Sequence, residues 1–487
     1  MLFNSYGFIF LFLPAVWLGF FALARIRSDY AATWLALASL FFYGYWNPVY
    51  LGLLLASISC NYLFGMWIAK AAARGDDAAK KRLLIVAIAI NLLALCYYKY
   101  ANFFLDSMNA VAGSDWTLWQ IVLPLGISFY TFTQIAFLVD TWQGKVKEYN
   151  FTHYVLFVTY FPHLIAGPVL HHKEMMPQFA HPATYRINWN NVASGMMLFT
   201  LGLCKKVLMA DALAPFATGI FDGIQQGAAH GVLPAMHEAW FGALAYTFQI
   251  YFDFSGYTDM ALGIALMFGI RLPTNFNSPY KATSIIEFWR RWHMTLSRFL
   301  RDYLYIPLGG NRLGKARRYL NLMITMALGG LWHGAGWTFI LWGLLHGIYL
   351  AINHLWREIF PATATGRWSW PARLIGGGLT FIAVVTAWVL FRANDVTHAL
   401  VILKAMYGIS DHADIVHALP EDLFKPRLKR LLVLSFIWVW LFPNSSRLRF
   451  IGHGYILTAL QVIVVLYFLN AVLSHFGSYS PFLYFQF

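Results

Sequence analysis

Apolar runs of roughly 18 residues, the length a helix needs to cross a bilayer, recur from one end of the chain to the other. Tyr6–Ala24, Ala31–Trp46 and Tyr50–Ala69 read as the first three spans, and Leu83–Tyr98 and Leu118–Val139 as the next two. The loops Arg25–Tyr30 and Lys70–Arg82 are two crossings apart and so share a side. The second carries Lys70, Arg74, Lys80, Lys81 and Arg82, which makes that side cytoplasmic and puts the N-terminus outside. Tyr154–Leu170 is interrupted by Pro162, Gly167 and Pro168. That predicts a kinked or re-entrant element, because a broken helix at membrane depth needs protein or a wet cavity to satisfy its freed backbone groups. Further spans are expected at Val192–Met209, Ala239–Phe268, Leu320–Leu331, Trp337–Ile352, Leu374–Phe391, Leu431–Leu441 and Tyr455–Val472. The polar stretches His171–Asn191 and Gly408–Arg430 are only loop-sized. The expected fold is an all-α, polytopic membrane domain over residues 1–487, with about eleven spans and one or two re-entrant or interfacial helices.

Composition agrees. Of 487 residues, 59% are hydrophobic and 11% charged, too few charges for a water-facing surface of this size. The first apolar run is long and lacks a small-residue cleavage site, so it reads as a retained span. The net charge of +14, from 35 basic and 21 acidic residues, lies mostly in short loops. It therefore follows the positive-inside rule and implies no nucleic acid. Cys60, Cys96 and Cys204 cannot build a disulfide framework and read as small core residues.

Candidate chemistry lies between Asp253 and His346. Asp253 and Asp259 sit in an apolar stretch. Intramembrane carboxylates face a partner or a wet cavity, so each reads either as substrate-lining or as half of an ion pair, with Arg290 or Arg291 as candidate partners. Ser284–Leu304 mixes aromatic residues with four arginines and cannot be a lipid-facing span. As a helix it would put Trp289, His293 and Leu296 or Leu300 on one face. It suits the cytoplasmic interface, with aromatic anchors at headgroup depth and guanidinium groups reaching lipid headgroups or a phosphorylated ligand. The basic loop Asn311–Arg318 fits the same side. Then comes Gly329-Gly-Leu-Trp-His333-Gly-Ala-Gly-Trp337, inside a stretch with no Lys, Arg, Asp or Glu between Arg318 and Arg357. Glycine permits a tight bend or close approach of a ligand, so the flanks describe an imidazole on a bent, open segment within the membrane. Such an imidazole can take a proton from a hydroxyl attacking an acyl thioester, or carry the acyl group itself. His346 and His354 lack such flanks and read as structural.

Competing motifs are weak. There is no Gly-x-Ser-x-Gly elbow, phosphate loop or His-Glu-x-x-His helix. His417 and Asp422 match a His-x4-Asp spacing by chance in a polar loop. His171, His172, Glu174 and His181 read as a solvated or interfacial face rather than a metal site.

With these residues in view, the chain resembles the membrane-bound O-acyltransferase (MBOAT) superfamily, in its bacterial alginate O-acetylation branch. The resemblance rests on FWRRWHMTLS (Phe288–Ser297), RDYLYIPLGGNR (Arg301–Arg312), GGLWHGAGW (Gly329–Trp337), YFDFSGYTDM (Tyr251–Met260), FPHLIAGPV (Phe161–Val169) and the final SYSPFLYFQF (Ser478–Phe487). It implies that His333 is the principal catalytic histidine and His293 the second active-site residue. It also implies a central tunnel, which Trp332, Asp253, Asp259, Arg290, Arg291 and Asn311 are candidates to line. No resident cofactor or metal is implied. Acetyl-CoA would be the donor in the cytoplasm, and a periplasmic acetyltransferase partner would complete transfer to an exopolysaccharide. The location would be the bacterial inner membrane. Cellulose or peptidoglycan acetylation is the alternative within this class, and a non-enzymatic transporter of polymer or lipid-linked precursor is the rival outside it.

Overall fold

The computed structural model describes residues 1–165, 167–360, 370–409, 426–447 and 482–483. Among them the secondary structure is helical, with no strand. In chain order the helices used below are α1 (Gly7–Ala24), α2 (Ser28–Gly44), α3 (Pro48–Ala73), α4 (Asp77–Ala112), α5 (Ile127–Trp142) and α6 (Phe151–Thr159). There follow α7 (Trp189–Ala229), α8 (Met236–Met267), α9 (Lys315–His333), α10 (Trp337–Ile359), α11 (Trp370–Arg392), α12 (Val396–Met406) and α13 (Pro426–Leu441). Starts follow local chemistry: the Asn47 side chain accepts from Val49 N ahead of α3, and the Asp76 side chain accepts from Ala79 N ahead of α4.

Six of these helices, α1, α3, α4, α7, α10 and α11, are long and apolar enough to cross a membrane, against the eleven or so expected. The expected span Tyr455–Val472 and the pair His417 and Asp422 lie outside the described residues. Several boundaries differ from the sequence reading: the helix expected to end at Met209 runs on to Ala229, and that expected to end at Ile352 runs to Ile359. The fourth helix continues past Tyr98 to Ala112 through a π-turn at Cys96–Tyr100. The fifth begins only at Ile127, because Pro124 and the left-handed Gly126 (φ 69°) precede it. The break expected in Tyr154–Leu170 is present: α6 ends at Thr159 and a four-residue helix, Phe161–Leu164, follows.

The 32-residue α8 is buried along most of its length and forms the axis of the structure. It lies against α7 backbone to backbone. A Cβ on Gly195 would fall 2.5 Å from the Gly263 carbonyl oxygen, and one on Gly202 would fall 2.4 Å from that of Gly256. Small residues allow such approach where water cannot drive helices together. The same device closes the α9–α10 hairpin. A Cβ on Gly330 would lie 2.1 Å from the Phe339 carbonyl oxygen, and one on Gly343 would lie 2.2 Å from that of Met326. Gly343→Val should therefore pry the hairpin apart. Overpacking of this kind costs about 1–3 kcal/mol or more. A lowered melting temperature of the detergent-solubilised protein is the expected result, and an unchanged one would contradict this contact.

Candidate active site

His333 is the last residue of α9 and is buried. The helix stops there because Gly334 turns extended (φ −155°) with the Phe339 ring beneath it, 2.2 Å from where a Cβ would stand. The glycines around His333 thus serve helix contact: Gly330 and Gly334 are filled by Phe339, and Gly329 faces Leu300. Of the two roles the sequence offers for these glycines, a tight bend or close approach of a ligand, the bend is present at Gly334, and the space beside it is filled by Phe339. The His333 ring is framed edge-on by Trp332, Trp342 and Phe391, with centroids 4.9, 5.2 and 5.3 Å away.

His293 approaches from a different element. The single helical face expected for Trp289, His293 and Leu296 does not form. Ile285–Trp289 ends in a turn, His293 takes φ 42° and ψ 52°, and Met294–Leu300 starts anew. A left-handed, non-glycine residue persists only where its surroundings fix it, and here Asn275 does. Asn275 Oδ1 accepts from Thr295 N (3.2 Å) and Thr295 Oγ1 (2.9 Å), and lies 3.1 Å from His293 Nδ1. An atom receiving a backbone N–H must be the amide oxygen, so His293 Nδ1 is the donor and Nε2 carries the lone pair. The two imidazole centroids are 6.3 Å apart. That is wider than direct hydrogen bonding between the rings allows. Phe288 and Trp292, expected as headgroup anchors, are instead core residues stacked on each other. His346 sits in the same aromatic mass, accepting from Trp289 Nε1 at 3.3 Å.

Two cavities lie beside this centre, one bordered by the residues that follow His293 and one by His333 itself. The larger, about 740 Å³, is lined by Arg290, Met294, Thr295, Arg298 and Arg301 on one wall and by α9 and α10 residues, including His354, on the other. The smaller, about 210 Å³, is lined by Trp46, Lys99, Ser128, Trp332 and His333 itself. Helix α5 relates them to the membrane. Near its start, the Ser128 hydroxyl meets Lys99 beside the small cavity. Near its end, Asp140 pairs with His172 at 2.8 Å, and Trp142 lies under the Lys80 amino group. From there Glu174 holds Arg298 through both oxygens, at 2.6 and 2.8 Å. At 1.5 Å per residue these ends are roughly 18 Å apart. The arginine-lined cavity thus opens at the end of the basic loop 70–82, and the His333 cavity towards the opposite end.

The other sequence candidates fall out as follows. Trp332 lines the small cavity and Arg290 the large one. Among the described residues Arg290 has no carboxylate partner, whereas Arg298 is held by Glu174 and Arg301 by Asp302. Arg291 does not line either cavity: Glu287 binds it at 2.7 and 3.0 Å. Burial pushes the Glu287 carboxyl up, but hydrogen bonds from Thr283 and Arg291 outweigh this and leave it below its ordinary range. Asn311 is exposed in the turn after Arg301–Tyr305 and lines neither. Asp253 and Asp259 are ion-paired, but with lysines of α7 rather than arginines. Lys206 meets Asp253 and Lys205 meets Asp259, each at 2.6 Å, with all four side chains buried. Ser445 donates to Asp259 and Leu483 N to Asp253, so these carboxylates tie down the C-terminal part of the chain. His171 and His172 are buried, not solvated, and bond to Tyr303 and Asp140. Sequence reasoning missed Asn275 and Lys99. Lys99 stands one residue past an apolar run, and Asn275 is one of several polar residues in the connection Arg271–Ser278, so neither is singled out by pattern alone.

Comparison with known proteins places this geometry. The model of the membrane-bound O-acyltransferase family matches residues 143–392. The peptidoglycan O-acetyltransferase of Helicobacter pylori is 44% identical over 437 residues, covering 84% of this chain and 80% of that protein. The probable alginate O-acetylase AlgI of Azotobacter vinelandii is 44% identical over 416 residues, covering 84% and 79%. Its counterpart from Pseudomonas putida is 39% identical over the whole of both chains.

Proposed function

The chain belongs to the membrane-bound O-acyltransferase family, and from that premise we propose that it carries acetyl groups from cytoplasmic acetyl-CoA across the bacterial inner membrane. It is a multi-pass membrane acyltransferase. The observation that carries the finer reading is a small cavity lined by His333 towards one end and an arginine-lined cavity, bordered by Met294 and Thr295 next to His293, towards the other. Arginines at the basic-loop end suit a phosphorylated thioester donor, and basic loops mark the cytoplasmic side. The thioester carbonyl enters between His293 and His333. His333 then takes the proton of an acceptor hydroxyl arriving through the smaller cavity and returns it to the leaving CoA thiolate as the C–S bond breaks, or takes the acyl group itself, releasing CoA thiol to the donor side before passing the acyl group to the hydroxyl. The acceptor side is periplasmic, as is the N-terminus. There a partner acetyltransferase completes transfer to an exopolysaccharide, alginate or a related polymer. The relatives named for alginate support that choice. A second reading, peptidoglycan, is supported by an equally similar relative named for it. A transporter would need a polar pathway but no paired imidazoles.

The test is acetyl transfer in proteoliposomes, with labelled acetyl-CoA on the side of loop 70–82 and a hydroxyl acceptor opposite. Labelled ester on the far side is expected. Transfer only when donor and acceptor share a side would sink the transmembrane reading. Within it, Arg290→Ala should raise the KM for acetyl-CoA about tenfold or more, the scale of one charge-assisted contact to phosphate. An unchanged KM would remove Arg290 from the donor site.

A further inference from the structure

An α-helix ends with four carbonyls that no helical N–H reaches, and inside a membrane their satisfaction must come from protein. At the end of α9 each is accounted for. Gly330 O accepts weakly from Gly334 N at 3.4 Å. Leu331 O accepts from the Tyr100 hydroxyl at 2.9 Å. Trp332 O and His333 O both accept from Lys99 Nζ, at 2.5 and 3.2 Å. Three of the four carbonyls are thus met by side-chain donors of two adjacent residues more than 230 positions upstream. Neighbours on a regular helix diverge by about 100°. Lys99 and Tyr100 converge on one target at the π-turn Cys96–Tyr100, where the extra residue per turn re-aims the side chains. Farther along α4, Ser107 accepts from Trp337 Nε1 at 3.2 Å and Phe103 packs on the same ring, so α4 also holds the start of α10.

We propose that Lys99 and Tyr100 are positioning residues for His333: the bulge of α4 caps α9 from outside and fixes the imidazole where the small cavity meets it. Lys99 itself lines that cavity, yet its nitrogen is directed at the two carbonyls and at Ser128. It therefore acts through the backbone of residues 332 and 333. This inference rests on His333 being the residue that performs the transfer.

The experiment compares purified Lys99→Met, Lys99→Arg, Tyr100→Phe and His333→Ala in steady-state transfer from labelled acetyl-CoA. In Lys99→Met kcat should fall about 10- to 100-fold, the scale of a misplaced catalytic group, with the KM for donor unchanged. Lys99→Arg, which keeps donors for both carbonyls, should recover most of the loss. Tyr100→Phe removes one hydroxyl without changing shape, and keeps the test decisive should the lysine variants fold poorly; it should lower kcat severalfold. A wild-type kcat in Lys99→Met or, where that variant does not fold, in Tyr100→Phe overturns the capping role, as does a loss seen in KM alone. Full transfer by His333→Ala overturns instead the reading of the site on which the role depends.

Discussion

His333→Ala should abolish acetyl transfer while leaving a folded, membrane-inserted protein. A positioned acid–base group contributes about 10²- to 10⁴-fold, and a covalent carrier would contribute all of the transfer. The expected loss is therefore at least about 10²-fold. Trp332, Trp342 and Phe391 surround the ring, so the alanine leaves a void that costs some stability. His333→Gln, closer in volume, separates that cost from the chemistry: it should melt near wild type and still fail to transfer. His293 needs a different substitution, because alanine is strained at φ 42°. Asparagine tolerates the left-handed region, so His293→Asn should keep the turn and lose about 10²-fold in kcat. Transfer assays on the three purified variants check this, and full activity in either His333 variant would remove the residue from the mechanism.

The second large effect concerns stability. Lys206 meets Asp253 at 2.6 Å and Asp211 at 2.8 Å, and is almost wholly buried. Lys206→Met leaves Asp253 as a buried carboxylate with its cation gone. Breaking such a pair costs about 3–5 kcal/mol, a large part of the stability of most proteins. The variant should express poorly and melt early. Lys206→Met combined with Asp253→Asn removes both charges and should recover much of the loss, because a neutral pair carries a far smaller desolvation penalty. Melting curves and size-exclusion profiles of the single and double variants decide the point. A single variant as stable as wild type would show that the pair holds nothing together.

These two sites mark how far the sequence alone could be read. The membrane class followed from apolar run length, and His333 stood out as an imidazole in a stretch without charges. The reason for its glycines did not, since close contact between Gly330 and Phe339 depends on how α9 and α10 face each other. Asp253 and Asp259 were recognised as needing partners, but Lys205 and Lys206 lie about 50 residues upstream on another helix, at a register fixed by glycine pairs that a linear pattern does not reveal. His293 escaped the helical-face argument because one residue leaves helical space, held by an asparagine 18 positions earlier. Lys99 looked like the end of a span, when the helix in fact continues through it.

The aromatic frame around the histidines has one further consequence. Trp332, Trp342 and Phe391 pack on His333 and Phe254 packs on His293, and the two cavities on either side share no lining residue. Under the proposed transfer, a two-carbon ester would be handed from one space to the other past packed rings that offer hydronium and sodium no polar path, so the exchange would run at an energised membrane without discharging its gradient.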